Sequence, residues 1–407
     1  MKFKTQCYLA SVAAAVAVNL VSQPVMAAIP VANPQSLIIN AGAIFNGTQF
    51  IEGSHSVLVQ KGKIVKIGPA GSIKFKGARV VNVPGGTILP GFIDMHTHHL
   101  INGIPPRRML EHGVTTARDL GSAEPIAGAF TNQPYQLRQF FSGPILQAVG
   151  GYPNVVFPGS GTEIAGDSAA RAKVDSLVAQ GASVIAVSLE KGGEVGAPWN
   201  WHNPASAPPW YTLTEAELNA IVDQAHNVHH VKVTAYFGDE EGAQRVLAAG
   251  VDEWAHMPCD RLSPAVIAAA GAKKIAIDGT IDTEVQCSGV HDNAADLVNA
   301  GARLFYATDM GHPDIPHGID AQEVHMGLQV GFHTGKDYIA SLTQALVSAT
   351  SEGGKYLGLA PLGQIVPLAP ADLVVIGTDV RASFKELEFP RLVVKDGWVV
   401  IERVKGE

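Results

Sequence analysis

The stretch PGFIDMHTHHL, residues 90–100, joins an apolar run to three histidines, His96, His98 and His99. In an extended segment the side chains repeat their direction every two residues, so His96 and His98 point the same way. Two imidazoles on one side of a strand can bind the same metal ion at about 2.0 to 2.1 Å. A bare His-x-His pair is a weak motif, so the rest of the chain decides whether this arm holds a metal.

Eight short apolar runs alternate with loops and helical segments through the middle of the chain. They lie at 92–96, 113–119, 144–149, 183–189, 231–237, 251–256, 274–280 and 302–309. Several intervening segments carry helix signals: Thr214 with Glu217 has capping-box spacing, Ser263-Pro264 supplies a cap and a first-turn proline, and Gly250 ends another helix. Eight βα units in about 260 residues predict one closed (β/α)8 TIM barrel. The alternative, an open doubly wound sheet, would need a glycine-rich phosphate loop after an early strand, and the sequence has none.

Short alternating strands with turns occupy both ends of the chain. They read as β structure at 36–89 and again at 371–379 and 391–404, with Asn46-Gly47 placed as a hairpin turn. Because these two segments flank everything else, we expect them to pair with each other. The predicted organisation is a signal peptide at 1–27, a composite β-sandwich domain from 28–90 and 360–407, and the barrel at 91–359.

The first 28 residues have the layout of a secretory signal peptide. Lys2 and Lys4 precede an apolar stretch rich in alanine and valine, and small residues follow at Ala27 and Ala28. A membrane anchor is the alternative, but the apolar part is shorter than the roughly 20 residues of a spanning helix. We therefore expect an exported protein, periplasmic or secreted, with no membrane association after the signal is removed.

Composition narrows the class of protein. Hydrophobic residues make up 46% of the chain and charged residues 16%, which is typical of a folded protein with a large core. The net charge of −8 disfavours a nucleic-acid partner. Cys259 and Cys287 are too few for a disulfide framework, although a single bridge between them is open.

Candidate metal ligands coincide with the ends of the predicted strands. In a TIM barrel the chemistry lies at the C-terminal ends of the strands, which we call the rim. The first strand ends at His96 and His98, the sixth at His256 and the eighth at Asp309. Hydrogen-bonded histidines and a helix-capping aspartate are the alternative, but the coincidence with three strand ends favours a metal site.

Several longer motifs, in order along the chain, resemble the amidohydrolase superfamily. They are VVNVPGGTILPGFIDMHTHH, GVTTARDLG, DEEGAQRVLAAGVDEWAHM, YATDMG, ATSEGGKYLGL and LAPADLVVI. The sequence resembles in particular the exported branch similar to imidazolonepropionases and Xaa-Pro dipeptidases, over about residues 36–404. The resemblance implies a barrel with a small composite β domain, and one or two metal ions that activate water against an amide or a related bond.

The resemblance also assigns roles to individual residues. His96 and His98 match the first-strand pair that binds the more buried metal, and His256 and Asp309 match the sixth- and eighth-strand ligands. The family's carbamylated fourth-strand lysine is replaced here by Ala186. Its fifth-strand histidine is replaced by Tyr236, so two ligands of a two-metal site are missing.

Two nearby side chains offer substitutes for the missing ligands. Glu190 has the same strand parity as Ala186 and is a candidate metal ligand; otherwise it is a loop carboxylate that contacts substrate or solvent. The hydroxyl of Tyr236 is a candidate donor to a developing oxyanion; otherwise the ring fills the space of a lost histidine. Both pairs of alternatives stay open at the level of sequence.

Two loops at the rim are candidates for substrate contact. Residues 190–210 are rich in glycine and proline and carry Trp199, Trp201 and Trp210, which suits either a lid over an apolar substrate or an interface with a second subunit. The loop that contains His312 follows the eighth strand and is a further candidate. A homo-oligomer thus remains an alternative.

The leading hypothesis is an exported metal-dependent hydrolase that cleaves an amide, including a peptide or cyclic amide, or an ester of a small-molecule substrate. It would use one divalent ion, with zinc expected, and Asp309 would take the proton of the attacking water while His256 or Tyr236 stabilises the oxyanion. The expected metal ligands are His96, His98 and Asp309, assisted by Glu190 or His256. The alternatives are a non-catalytic barrel that binds a small molecule, and a two-metal enzyme in which Glu190 is the bridge.

Overall fold

The computed structural model describes residues 36–124, 133, 135–200 and 202–404. The predicted signal peptide at 1–27 and Trp201 therefore lie outside the described residues. Within the part that is described, no helix is both long and apolar enough to cross a membrane.

The strands and helices are numbered in chain order. The strands are β1 Ser36–Phe45, β2 Phe50–Ile51, β3 His55–Gln60, β4 Lys63–Pro69, β5 Arg79–Pro90, β6 Phe92–Thr97, β7 Val114–Asp119, β8 Arg138–Phe141, β9 Ile145–Ala148, β10 Gly161–Ile164, β11 Val184–Ser188, β12 Lys232–Tyr236, β13 Glu253–Trp254, β14 Ala276–Asp278, β15 Arg303–Phe305, β16 Leu373–Ile376, β17 Leu392–Lys395 and β18 Trp398–Glu402. The α-helices are α1 Pro106–Glu111, α2 Asp167–Ala179, α3 Glu215–Asp223, α4 Glu240–Ala249, α5 Pro264–Lys273, α6 Val290–Ala300, α7 Ala321–His333, α8 Tyr338–Ser348 and α9 Ser351–Tyr356, with a π-helical turn at Gln224–His229 and a 3-10 turn at Phe384–Glu388.

The two ends of the chain form one mixed sheet. Its order is β18-β17-β16-β5-β1-β3-β4, with β2 paired to β1. The long strand β5 joins the two ends, because it runs parallel to β1 and antiparallel to β16, with Leu89 opposite Val374. The expected pairing of the flanking segments is therefore confirmed. The eight strands form one sheet. The strand pairing among the described residues does not divide them into the two sheets of a sandwich.

All eight predicted strands of the central region are present, as β6, β7, β9 and β11 to β15. They run parallel in two sheets, a seven-stranded one of order β10-β9-β11-β12-β13-β14-β15 and a three-stranded one of order β6-β7-β8. Strands β6, β7, β9 and β11 are buried along their whole length, which explains their continuous apolar runs. The additional short strands β8 and β10 were not predicted.

The predicted closed barrel is not formed as one continuous sheet. Strand β15 has only three residues, and the chain beyond it meets β6 through single hydrogen bonds rather than a strand ladder. The amide of Met95 donates to Tyr306 O at 3.2 Å, and the amide of Asp309 donates to His96 O at 3.0 Å. These bonds bring the ends of β6 and β15 together, which places the first and last predicted ligand segments side by side.

The helix caps that the sequence predicts are present in the structure. The Thr214 side chain accepts from the Glu217 amide while the Glu217 side chain reaches back, which completes the capping box of α3. Ser263 caps α5 through the Val266 amide, and α4 ends at Gly250, whose φ of 82° is left-handed. These helices are therefore defined by local sequence.

Candidate metal centre

The ends of β6 and β15 bring three metal-ligand side chains together. His96 Nε2 lies 3.2 Å from His98 Nε2 and 3.6 Å from Asp309 Oδ1, and His98 Nε2 lies 3.3 Å from the same oxygen. We call His96, His98 and Asp309 the metal cluster. Within the described residues it is the one group of three or more such donors whose atoms converge within 4.8 Å.

The spacing of the metal cluster fits a divalent ion. Ligands at about 2.1 Å from a tetrahedral ion lie roughly 3.4 Å from one another, close to the three separations observed. Asp309 Oδ1 is buried and has no hydrogen-bond partner among the described residues. An unpaired buried carboxylate oxygen between two imidazole nitrogens is an arrangement that a cation would satisfy.

Hydrogen bonds orient His96 so that the lone pair of its Nε2, rather than a proton, points toward the centre of the metal cluster. His96 Nδ1 lies 2.7 Å from Ala255 O, so Nδ1 carries the proton and Nε2 is bare. The hydroxyl of Tyr236 donates to Leu120 O at 2.5 Å, and its oxygen lies 3.1 Å from His96 Nε2. Burial holds the pKa of His96 well below its ordinary value, which keeps the ring neutral and able to bind a metal.

Asp309 lies between the histidines of the metal cluster and His312. Its Oδ1 faces the metal cluster, while its Oδ2 lies 3.1 Å from His312 Nε2. Burial opposes ionisation, but His312 and the other imidazoles hold the pKa of Asp309 below its usual range. The backbone of Asp309 has a φ of 56°, a left-handed conformation that non-glycine residues adopt rarely and that aspartate tolerates better than most.

A buried carboxyl group ties the two ligand segments together. Asp94, on β6, accepts from the Thr308 hydroxyl at 2.6 Å and from the His96 amide at 3.2 Å. Thr308 precedes Asp309 in the chain, so this pair fixes the end of β15 against β6. The neighbouring His99 faces elsewhere, since its ring nitrogens lie 2.8 Å from Thr97 Oγ1 and 2.8 Å from Gln139 Oε1.

His256 lies beside the metal cluster without joining it. Its ring centroid is 4.6 Å from that of His96, but its nitrogens are not among the converging donor atoms. Its Nδ1 lies 2.8 Å from Thr280 Oγ1 and 3.5 Å from Glu284 Oε1. Burial lowers the pKa of His256 to about 4, so the ring is neutral at ordinary pH.

The other predicted ligand, Glu190, is buried but has different partners. Its Oε1 accepts from the Gly192 amide at 2.7 Å, and its carboxyl group also hydrogen-bonds that of Glu194. Glu190 is not part of the converging group. The structure therefore brings together three of the five predicted ligands and places His256 next to them.

The positions that lack the family's ligands are filled by apolar packing. Ala186, on β11, is fully buried and packs in one cluster with Leu120, Ile145 and Tyr236. Burial and the charge of Asp309 raise the pKa of Tyr236 well above its ordinary value, so the phenol stays neutral. This side of the rim thus offers a ring and methyl groups in place of a lysine and a histidine.

A buried ion network lies beneath the metal cluster. Arg118 donates to Glu253 Oε2 at 3.0 Å, to Asp278 Oδ2 at 3.0 Å and to Met95 O at 2.8 Å. Asp278 Oδ2 is also 3.8 Å from His96 Nδ1. The network was not predicted from the sequence, although a charged residue inside each of three apolar strands, β7, β13 and β14, was its signal.

Loops at the rim surround the cluster with aromatic side chains. Tyr152 stacks on Trp210, with ring centroids 5.5 Å apart, and lies 5.9 Å from Trp199. Trp199 is only 7% exposed, and its ring centroid is 6.0 Å from that of His256. We call Tyr152, Trp199 and Trp210 the aromatic wall. Two of the three predicted loop tryptophans therefore contribute to it.

One disulfide joins two rim loops. Cys259, after β13, is bonded to Cys287, after β14. The bridge that the sequence left open is therefore confirmed. Cys259 lies three residues beyond His256, and Cys287 lies three residues beyond Glu284, so the bond links the loops that carry these two side chains.

The sequence of this chain is similar to a known protein family. A family model described as the amidohydrolase family matches residues 87–400. The chain is 33% identical over 97 residues to a dihydroorotase from Aquifex aeolicus (strain VF5), a match that covers 23% of this chain and 20% of the dihydroorotase. The chain thus spans about a fifth of that relative's length in the match.

Two solved structures have a similar fold. A Xaa-Pro dipeptidase with methionine bound in its active site superposes with a TM-score of 0.70 at 18% identity, over 89% of this chain and 99% of that one. The ochratoxinase of A. niger superposes with a TM-score of 0.72 at 16% identity, over 91% of this chain and 97% of that one. At these identities the likeness shows the fold alone.

Proposed function

Because the chain belongs to the amidohydrolase family, we propose that it is a metal-dependent hydrolase that cleaves an amide bond, or an ester, of a small molecule. The observation that carries the proposal is the metal cluster, in which two neutral imidazoles and the unpaired Asp309 Oδ1 converge. The proposed ligands of one divalent ion, zinc, are His96, His98 and Asp309. Such an ion supplies a water whose pKa falls to about 7 and a Lewis acid for the carbonyl.

The side chains around the cluster have separate proposed roles. Asp309 takes the proton from the attacking water, because it is ionised and its second oxygen is held by His312. If Thr280 donates to Nδ1 of His256, Nε2–H of that ring is free to donate to the developing oxyanion. Tyr236 already donates its proton to Leu120 O, so we propose that it positions His96 rather than stabilising the oxyanion.

We propose one metal ion per chain. The oxygens of Glu190 have the Gly192 amide and Glu194 as partners, and Ala186 contributes only a methyl group where the family carries a lysine. A two-metal enzyme bridged by Glu190 is the alternative that metal counting separates.

A second candidate function is a non-catalytic barrel that binds a small molecule. The observation in its favour is the apolar filling around Ala186, Leu120 and Ile145, which removes half of a two-metal site. Against it, His96 keeps the contact with Ala255 O that orients its ring, and Asp309 keeps its contact with His312.

Export and architecture complete the proposal. We propose a periplasmic or secreted protein, because a disulfide between Cys259 and Cys287 is typical of oxidising compartments. We also propose that β6, β7, β9 and β11 to β15 are the eight strands of a (β/α)8 barrel and that the mixed sheet of the chain ends is its composite sandwich domain. A homo-oligomer remains an alternative use of the loop at 190–210.

The first experiment is metal counting by plasma mass spectrometry on zinc-loaded protein, with hydrolysis measured on the same samples. We expect one zinc per chain, lost in His96→Ala and retained in Glu190→Gln and in the surface control His333→Ala. Removal of a direct ligand should weaken zinc binding by more than the roughly 10- to 100-fold typical of outer-shell changes.

Other zinc contents would lead to different conclusions. Two ions per chain, one of them lost in Glu190→Gln, would establish the bridged two-metal alternative. Metal without hydrolysis of any amide or ester would favour the binding protein, and failure to bind zinc would overturn the proposal.

A further inference from the structure

Three buried carboxyl groups lie at the rim but have no part in the proposed mechanism. Glu190 and Glu194 follow β11, and Glu284 lies in the turn after β14. Each of the three residues is at most 3% exposed. Carboxylates are rarely buried this completely unless they have a partner, so each one needs an account of its charge.

Glu190 and Glu194 partly satisfy each other. Their carboxyl groups lie within hydrogen-bonding reach of each other, but Glu194 Oε1 is buried without a hydrogen-bond partner among the described residues. The Gly192 amide donates to Glu190, and the indole N–H of Trp199 lies 3.4 Å from Glu194 Oε2. Glu194 is therefore tied to the aromatic wall through Trp199.

Glu284 has no adequate partner at all among the described residues. Its Oε2 is buried without a hydrogen bond to any of them. Its Oε1 lies 3.5 Å from His256 Nδ1, but that nitrogen is already engaged by Thr280 Oγ1 at 2.8 Å. An orphaned buried carboxyl group beside an active centre is a group that a ligand would satisfy.

Among the residues that the structure describes, these three acids have no positively charged partner. No lysine or arginine among them forms an ion pair with Glu190, Glu194 or Glu284. The nearest lysine in sequence, Lys191, pairs with Asp239 and Glu241 instead. Burial raises the pKa of the Glu284 carboxyl group, and the negative charges of Asp309 and Glu190 raise it further.

The aromatic wall borders both the acids and the metal cluster. Tyr152 packs against both Trp199 and Trp210, and burial together with the charges of Asp309, Glu190 and Glu284 raises the pKa of its phenol. Trp199 contacts His256 on one side and Glu194 on the other. Aromatic faces attract cations, which complements the carboxylates.

The geometry distinguishes the kind of cation. A second metal ion would need at least three converging donors, and within the described residues only the metal cluster brings three such atoms within 4.8 Å. An organic cation can instead bridge carboxylates that lie further apart, through several N–H donors and over an aromatic ring.

We propose that Glu190, Glu194 and Glu284, together with the aromatic wall, form a subsite for a positively charged nitrogen group of the substrate, an ammonium or a guanidinium. The inference rests on the proposed function, because the subsite adjoins the metal cluster. It specifies the substrate class as an amide that carries a cationic group on the part held near His256.

Four amides test the subsite on zinc-loaded protein. Arginine amide carries two cationic groups, citrulline amide only the α-ammonium, N-acetylarginine amide only the guanidinium, and N-acetylcitrulline amide neither. Titration calorimetry measures binding, and release of ammonia from the same four compounds measures hydrolysis. We expect at least one cationic compound to bind about 10- to 100-fold more tightly than the neutral one, as a charge-assisted hydrogen bond implies. Which compound gains identifies the nitrogen that is recognised.

Variants assign the preference to the acids. Glu284→Gln should lower the ratio of affinities for the cationic and neutral compounds by about 10-fold or more, since an amide oxygen carries no charge. Glu194→Gln is a second variant if Glu284→Gln fails to fold. Glu241→Gln is the matched control, because this exposed carboxylate pairs with Lys191 outside the subsite.

The outcomes separate the subsite from the proposed function. Equal binding of all four compounds, or of none, would overturn the subsite even if other amides are hydrolysed. Preferential binding without hydrolysis of these four amides would support the subsite, and the hydrolase would be rejected only if no other amide or ester is hydrolysed either. A second zinc ion that is lost in Glu284→Gln would show that the acids hold a metal, and would also overturn the inference.

Discussion

The two sides of the rim differ in how they treat the positions where the family binds metal. On the side of β6 and β15, His96 and Asp309 are polar, oriented by hydrogen bonds and converge on one point. On the side of β11 and β12, Ala186 and Tyr236 are packed among apolar side chains. In this chain, the ligand position at His96 is accompanied by a hydrogen bond that orients the ring, whereas the space around Ala186 is filled by apolar packing.

The largest effect is expected on the polar side, from removal of its charged base. Asp309→Asn should lower kcat/KM by about 10²- to 10⁴-fold, because an amide cannot take the proton of the attacking water. Steady-state kinetics and zinc content, measured together, distinguish a lost base from a lost ligand. Asp314→Asn, on the same loop and exposed, is the control. Unchanged turnover in Asp309→Asn would show that the metal cluster is not the seat of the reaction.

A smaller effect, on stability, is expected from the ion network beneath that side. Arg118→Met should lower the free energy of unfolding by about 3 to 5 kcal/mol, because Glu253 and Asp278 would be left buried and unpaired. Denaturant unfolding measures the change. Arg171→Met, which breaks an ion pair with Asp223 at the surface, should cost about 1 kcal/mol or less. If both variants lost the same free energy of unfolding, the buried network would stabilise the side of the rim that carries the metal cluster no more than a surface ion pair does.

The smallest effect is expected on the packed side. Tyr236→Phe should keep its zinc and retain turnover within about 10-fold of the parent, while losing about 1 to 3 kcal/mol of stability because Leu120 O loses its donor. Steady-state kinetics and thermal unfolding measure both quantities, with the exposed Tyr211→Phe as control. If turnover instead fell by about 100-fold or more in a folded, zinc-loaded variant, Tyr236 would be restored as an oxyanion donor and both sides of the rim would be catalytic.

Much of the fold could be predicted because its signals are local. Each apolar run of the eight central strands depends only on residues a few positions apart in the sequence. The same is true of the helix caps at Thr214 and Ser263. Strands β8 and β10 were missed because their residues are mostly half-buried, so neither strand forms a short apolar run. Closure of the sheet was overpredicted, because the strand pairing is interrupted both between β15 and β6 and between the three-stranded and the seven-stranded sheet.

The site was predictable only where strand ends carried the ligands. His96, His98 and Asp309 lie at or just beyond strand ends, so their meeting follows from the parallel arrangement of the strands. Glu284 and Tyr152 lie in loops, where a polar side chain is ordinarily solvated, and only the tertiary structure shows that they face the centre. The roles of Ala186 and Tyr236 needed a resemblance, because neither residue suggests a metal site by itself.

The left-handed backbone at Asp309 also restricts what can replace it in evolution. Glycine, asparagine and aspartate are the residues that tolerate this conformation most readily, whereas a branched side chain would strain the chain. Asparagine is one base change away from aspartate in the genetic code. A lineage of this protein could therefore exchange its base for a neutral amide in a single step and remain folded, which makes catalysis easier to lose than the architecture that surrounds it.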